Sequence, residues 1–145
     1  MNLGLLGIAL AMGIAATGSA IGIGIAGQAS IGAWKRCYMN NKAAPFILTA
    51  FAGAPLTQTI YGFLLMNFIR SGFESGAASA MLCMFVGILA GAAIGFSAWF
   101  QGRVAAAAAD ALGETGKGTA NYFIVIGIVE TVALFTLVFG LLLLQ

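Results

Sequence analysis

Glu130 is the one charged residue between Tyr122 and Gln145, set in the stretch VETVALFTLVFGLLLLQ. A carboxylate held in hydrocarbon costs roughly 2.5–3.5 kcal/mol on insertion scales, and intramembrane acids mark ion pathways by default. A second polar group lies in AGAPLTQTIYGF, where Ala54, Thr57, Gln58 and Tyr61 follow i, i+3, i+4, i+7 spacing and share one helical face. They offer a hydroxyl, an amide and a phenol. Pro55 has no N–H, so the carbonyl one turn earlier, near Phe51, loses its usual partner. A free carbonyl at membrane depth asks for a ligand. Gln101, in WFQGR, is a third contributor. Counted from the charged ends of their apolar stretches, Gln58, Gln101 and Glu130 reach similar depth. Gly127, one turn before Glu130, leaves room beside it. Hard cations take oxygen ligands, and one carboxylate among several neutral oxygens balances a monovalent cation better than a divalent one. The same residues allow a plainer chemistry, in which a protonated Glu130 only joins helices through amides and hydroxyls.

Something must carry these groups to one point. The chain has 145 residues, of which 61% are hydrophobic and 7% charged. Soluble domains carry about 25% charged residues, so that class is excluded. A net charge of +2 leaves no nucleic-acid footprint. With 21 glycines and 2 prolines, the composition fits membrane helices packed through small residues. Four stretches meet the requirement of about 20 apolar residues: 3–33, 44–69, 78–109 and 119–144. The breaks hold the charges: Lys35, Arg36 and Lys42 in the first, Arg70 and Glu74 in the second, Arg103, Asp110, Glu114 and Lys117 in the third. The positive-inside rule puts the first and third breaks in the cytoplasm, with the second break and both termini outside. The first and third helices exceed what a bilayer needs, so their cytoplasmic ends protrude. The N-terminal run lacks a basic leader and outlasts a signal h-region, so it reads as a retained helix. The expectation is an all-α, multi-pass membrane chain with one transmembrane domain over 1–145. Cys37 and Cys83 have no metal or redox spacing and read as inert thiols. No phosphate-binding loop or nucleophile constellation is present, so the chain is expected to catalyse nothing alone.

The sequence also repeats. GSAIGIGIAGQ (Gly18 to Gln28) aligns with GAAIGFSAWFQ (Gly91 to Gln101), and QTIYGF (Gln58 to Phe63) aligns with ETVALF (Glu130 to Phe135). Two copies of one hairpin follow, over 1–72 and 73–145. An even number of spans per copy makes the repeats parallel, and parallel hairpins can close into a ring by rotation about the membrane normal. The first and third helices are rich in small residues. Gly18 and Gly22, and Gly87, Gly91 and Gly95, stand at four-residue intervals that let backbones touch. They suit a narrow inner wall, and the bulky second and fourth helices suit the outside. A compact four-helix monomer is the plainer arrangement, and the repeat favours the ring. Gln58 replaces a carboxylate in the first copy, so one ion per chain is expected.

PLTQTIYGF, FQG and VET, within a duplicated glycine-rich hairpin, resemble the proteolipid (K or c) subunit of V-type and archaeal-type rotary ATPases, most closely its sodium-pumping branch. The resemblance implies sodium ligands at Thr57, Gln58, Gln101, Glu130 and the Ala54 carbonyl, with Tyr61 bonded to Glu130. It implies a rotor ring of identical subunits in the lipid bilayer of a prokaryotic cell. Its partners would be a central-stalk subunit and a stator membrane subunit with an essential arginine. Leu56 and Thr59 depart from glycines expected in the motif, which touches ring packing and leaves every oxygen donor in place. The alternative cargo is the proton alone. A small proton-coupled multidrug exporter also has four short helices and one Glu, but that Glu lies in the first helix of an unrepeated chain. A structural scaffold leaves Glu130 without a role.

Overall fold

The computed structural model describes residues 2–145. The described residues form helices and no strands. Helix α1 spans Leu3–Met39. The Asn2 side chain opens it by accepting the Gly4 and Leu5 amides at 3.1 and 3.4 Å, a standard N-cap. Helix α2, Leu48–Gly53, runs into a 3-10 turn at Ala54–Leu56 and then into α3, Thr57–Glu74. Helix α4, Ala80–Thr115, starts on a Ser79 cap that accepts the Leu82 amide at 3.2 Å. It stops at Gly116, whose left-handed φ of 66° suits glycine and returns its N–H to the Leu112 carbonyl at 2.8 Å. Helix α5 spans Thr119–Leu142.

These bounds correct the expected stretches. The helix expected over 44–69 begins at Leu48 and ends at Glu74, and Pro55 breaks it instead of only freeing one carbonyl. The first and third helices run on to Met39 and Thr115, past the expected 33 and 109. At about 1.5 Å per residue, each is roughly 55 Å long against a hydrocarbon core of about 30 Å. Helices α1, α4 and α5 are each long and apolar enough to cross a membrane. The α2–turn–α3 rod is divided, yet from Leu48 to Glu74 it reaches roughly 40 Å.

Helices α1 and α4 lie side by side and parallel, because Gly7 meets Gly87, Gly18 meets Gly95 and Gly22 meets Gly102. Gly18, Gly22, Gly87, Gly91 and Gly95 are all buried. The buried positions recur every 11 residues: Gly4, Ala15, Ala26 and Cys37 on α1, and Cys83, Ile94 and Ala105 on α4. Eleven residues in three turns nearly match a straight α-helix, so the seam stays between the helices along their whole length. Helix α3 packs against both α1 and α4, and α5 packs on α4 and α3.

Two apolar clusters fill the interior. One gathers Ala15, Leu65, Ile69, Val86, Ile94 and Leu137. The other gathers Ala26, Leu48, Phe51, Ala105, Leu112 and Ile126. Phe51 anchors α2 to the start of α5, with its ring edge-on to Phe123 at 4.8 Å. Arg36 and Asp110 pair where α1 and α4 end, and Arg70 pairs with Glu74 at 2.8 Å at the other end of the bundle. Between the two apolar clusters lies a layer of buried polar side chains.

Candidate functional site

The break in the second rod sets up the first ligand group. The Thr57 backbone N–H closes the 3-10 turn onto the Ala54 carbonyl. The Thr57 hydroxyl lies 3.1 Å from that carbonyl and 3.1 Å from Gln58 Oε1, and can donate to one of them at a time. From there a chain of bonds crosses three helices. Gln58 Nε2 on α3 donates to Gln101 Oε1 on α4 at 2.8 Å. Gln101 Nε2 donates to Glu130 Oε2 on α5 at 3.2 Å and to the Ile126 carbonyl at 3.1 Å. Tyr61 returns from α3, its hydroxyl donating to Glu130 Oε1 at 2.8 Å. Thr57, Gln58, Tyr61, Gln101 and Glu130 therefore meet in one chain. The Ala54 carbonyl joins them through Thr57.

Burial grades across the layer. Gln58 and Gln101 are fully buried, while Thr57, Tyr61 and Glu130 are half-buried on one flank. Each carboxylate oxygen of Glu130 receives one donor, and bonds to an ionised acceptor are the stronger kind. Neither ion pair among the described residues involves Glu130. When ionised, the acid would have its charge met by dipoles alone, beside a rim of neutral oxygens. Leu56 points outward and is half-exposed, away from these oxygens. A Cβ built at Gly127 would meet nothing within 4 Å.

Two participants escaped the sequence reading. The Ser97 hydroxyl donates to the Val129 carbonyl at 2.9 Å, fixing α5 against α4 next to the acid. Its position four residues before Gln101 was the available signal. The Ile126 carbonyl orients the Gln101 amide, and a backbone acceptor carries no mark in a sequence.

Similarity to known proteins follows the same residues. A family model for the C subunit of ATP synthase matches residues 84–143, the stretch that holds Gln101 and Glu130. The chain is also 38% identical over 144 residues to A-type ATP synthase subunit K of Methanocaldococcus jannaschii, an alignment covering 98% of this chain. Both matches point to similarity with the ATP synthase C-subunit family. The chain spans 61% of the length of that relative. That similarity and three apolar helices of membrane-crossing length together indicate an integral membrane protein. The matched family model and the archaeal relative are both named as parts of ATP synthases.

Proposed function

We propose that this chain is the ion-carrying subunit of a membrane rotor ring in a rotary ATPase, and that its cargo is sodium. The second rod then serves as a fourth span, and the chain is two tandem hairpins. The carrying observation is the single hydrogen-bonded network that joins Thr57, Gln58, Gln101, Tyr61 and Glu130. A proton needs one shielded carboxyl group. Sodium must replace its hydration shell, and each missing oxygen costs binding energy. Two amide oxygens and a hydroxyl beside one carboxylate supply that replacement. The Ala54 carbonyl would join them when Thr57 turns.

Loading neutralises Glu130, so a filled site turns through lipid at little cost, whereas an empty carboxylate is expensive there. The empty form would pair with the arginine of a stator subunit, release and reload, and advance one position as the rotor turns. Against 100 mV each charge moved costs about 2.3 kcal/mol, a load that ATP hydrolysis elsewhere in the complex would meet through a central-stalk subunit. Gln58 gives the first hairpin no charge, so one ion is carried per chain.

Carbodiimides react with a protonated carboxyl group, so they report whether Glu130 is loaded. Millimolar sodium is expected to slow labelling of Glu130, most clearly near or above neutral pH, and bound sodium should saturate near one ion per chain. Protons compete for the same carboxylate, so the half-protecting sodium concentration rises as pH falls. Absence of protection at every pH would make the proton the cargo.

Orientation has its own test. Parallel α1 and α4 bring Lys35, Arg36, Lys42, Asp110 and Glu114 to one end of the bundle. That end is proposed to be cytoplasmic and to meet the stalk. Single cysteines placed at Asn40 and Lys117, on a chain with Cys37 and Cys83 replaced, should react with an impermeant maleimide only in inverted vesicles. Reaction in intact cells would reverse the orientation.

A further inference from the structure

Ser19 lies on α1 with 1% of its surface exposed, and its hydroxyl has no hydrogen-bond partner among the described residues. Helical serines and threonines usually settle on the carbonyl four residues back. Thr17 does so on Gly13 at 2.8 Å, and Ser30 on Ala26 at 2.9 Å. Ser19 does not, so its hydroxyl faces neighbouring helices instead of its own backbone. Buried polar groups are nearly always paired, and an exception calls for an explanation.

The register of α1 against the second rod says what Ser19 faces. A Cβ built on Gly22 would press on Pro55, one on Gly62 on Ala15, and one on Gly4 on the Phe73 ring. These pairs advance by equal steps in opposite directions along two antiparallel helices. The same register puts Ser19 opposite Gln58, which is fully buried. The Gln58 amide nitrogen has two hydrogens and donates one of them, to Gln101 Oε1.

We propose that Ser19 is a positioning residue for the cation site, its hydroxyl accepting from the Gln58 amide so that Gln58 Oε1 is held toward the cation. This rests on the sodium reading above. In the bonding pattern just described, Gln101 Oε1 accepts the Gln58 N–H. When both amide oxygens turn onto one cation, the Gln58 nitrogen must swing away from Gln101 and needs another acceptor in the interior. Ser19 supplies it from α1, the one long helix that otherwise adds nothing to the site. It also fixes the amide flip, since the reversed amide would aim its N–H groups at a cation.

The test is sodium protection of Glu130 from a carbodiimide, measured on the full chain in its membranes for wild type, Ser19→Ala and Ser19→Cys. Ser19→Ala should raise the half-protecting sodium concentration about fivefold, the factor that matches one hydrogen bond of ~1 kcal/mol. Ser19→Cys, with a weaker acceptor, should fall between. The melting temperature of Ser19→Ala without sodium should equal or exceed that of the wild type, because an unpaired buried hydroxyl has been removed. Protected wild type with equally protected Ser19→Ala overturns the role of Ser19 and leaves the sodium reading standing. Unprotected wild type overturns both. A sodium-free melting temperature well below wild type assigns Ser19 to packing and also overturns the inference.

Discussion

Gly18→Leu should yield no correctly folded protein, whereas Gly13→Leu on the same helix should fold. A Cβ at Gly18 would already overlap the Gly95 carbonyl, and at Gly13 nothing lies within 4 Å. The obstacle at Gly18 is backbone, which cannot rotate aside as a side chain can, so the two long helices must separate. Overpacking a close-packed interior typically costs 1–3 kcal/mol per insertion, and a full leucine at a backbone contact lies beyond that range. Separation would also strip neighbouring glycine contacts at Gly22 and Gly102, because a rigid helix cannot open at one point alone. Gly91→Leu should be damaging but milder at the Cβ, where the nearest atom is the Ala11 carbonyl oxygen at 3.1 Å. Folded yield in mild detergent, read by size-exclusion chromatography, ranks the three. Wild-type yield for Gly18→Leu would count decisively against the seam.

The second large effect concerns the two residues at the centre of the polar layer. Glu130→Gln should eliminate carbodiimide labelling, sodium binding and ion transport together, while the fold persists. The amide keeps the shape of the acid, and its oxygen still accepts from Tyr61 or Gln101, so the network loses charge more than contact. Gln101→Leu should act differently. It leaves the acid reactive, removes one proposed ligand and strands two partners, the Gln58 N–H and the Glu130 Oε2 that loses its donor. Each buried group left unpaired costs about 1–3 kcal/mol, so stability falls along with sodium protection. Labelling of Glu130→Gln at the wild-type rate would place the reactive carboxyl elsewhere. Undiminished protection in Gln101→Leu would remove that amide from the ligand set.

Much of this was legible because apolar background makes polar residues conspicuous. Thr57, Gln58, Tyr61, Gln101 and Glu130 could be picked out one by one, since each is costly to bury alone. Their helical spacing on the second rod survived the break at Pro55, as Thr57, Gln58 and Tyr61 all fall within α3. What stayed hidden was relational. Gly7 and Gly102 look like any other glycines until each is seen against its partner on the facing helix. Ser97 and Ser19 are small polar residues of a kind that membrane helices carry freely, and only their neighbours give them meaning. The helix ends at Met39 and Thr115 were missed because hydropathy falls at the charged breaks, while the backbone remains helical there.

The polar layer is closed above and below by apolar side chains, and its acid stands half-exposed on one flank. An ion held by the amides therefore has a doorway but no corridor. On the proposed function it would leave sideways, past Glu130 and Tyr61, at right angles to the proposed direction of transport. Whatever surface lies against that flank acts as the latch: a greasy one keeps the occupant in, and a wet one lets it out. Exchange rate becomes a property of the neighbour, and the two sides of the membrane differ for this site only through what is presented to it as it passes.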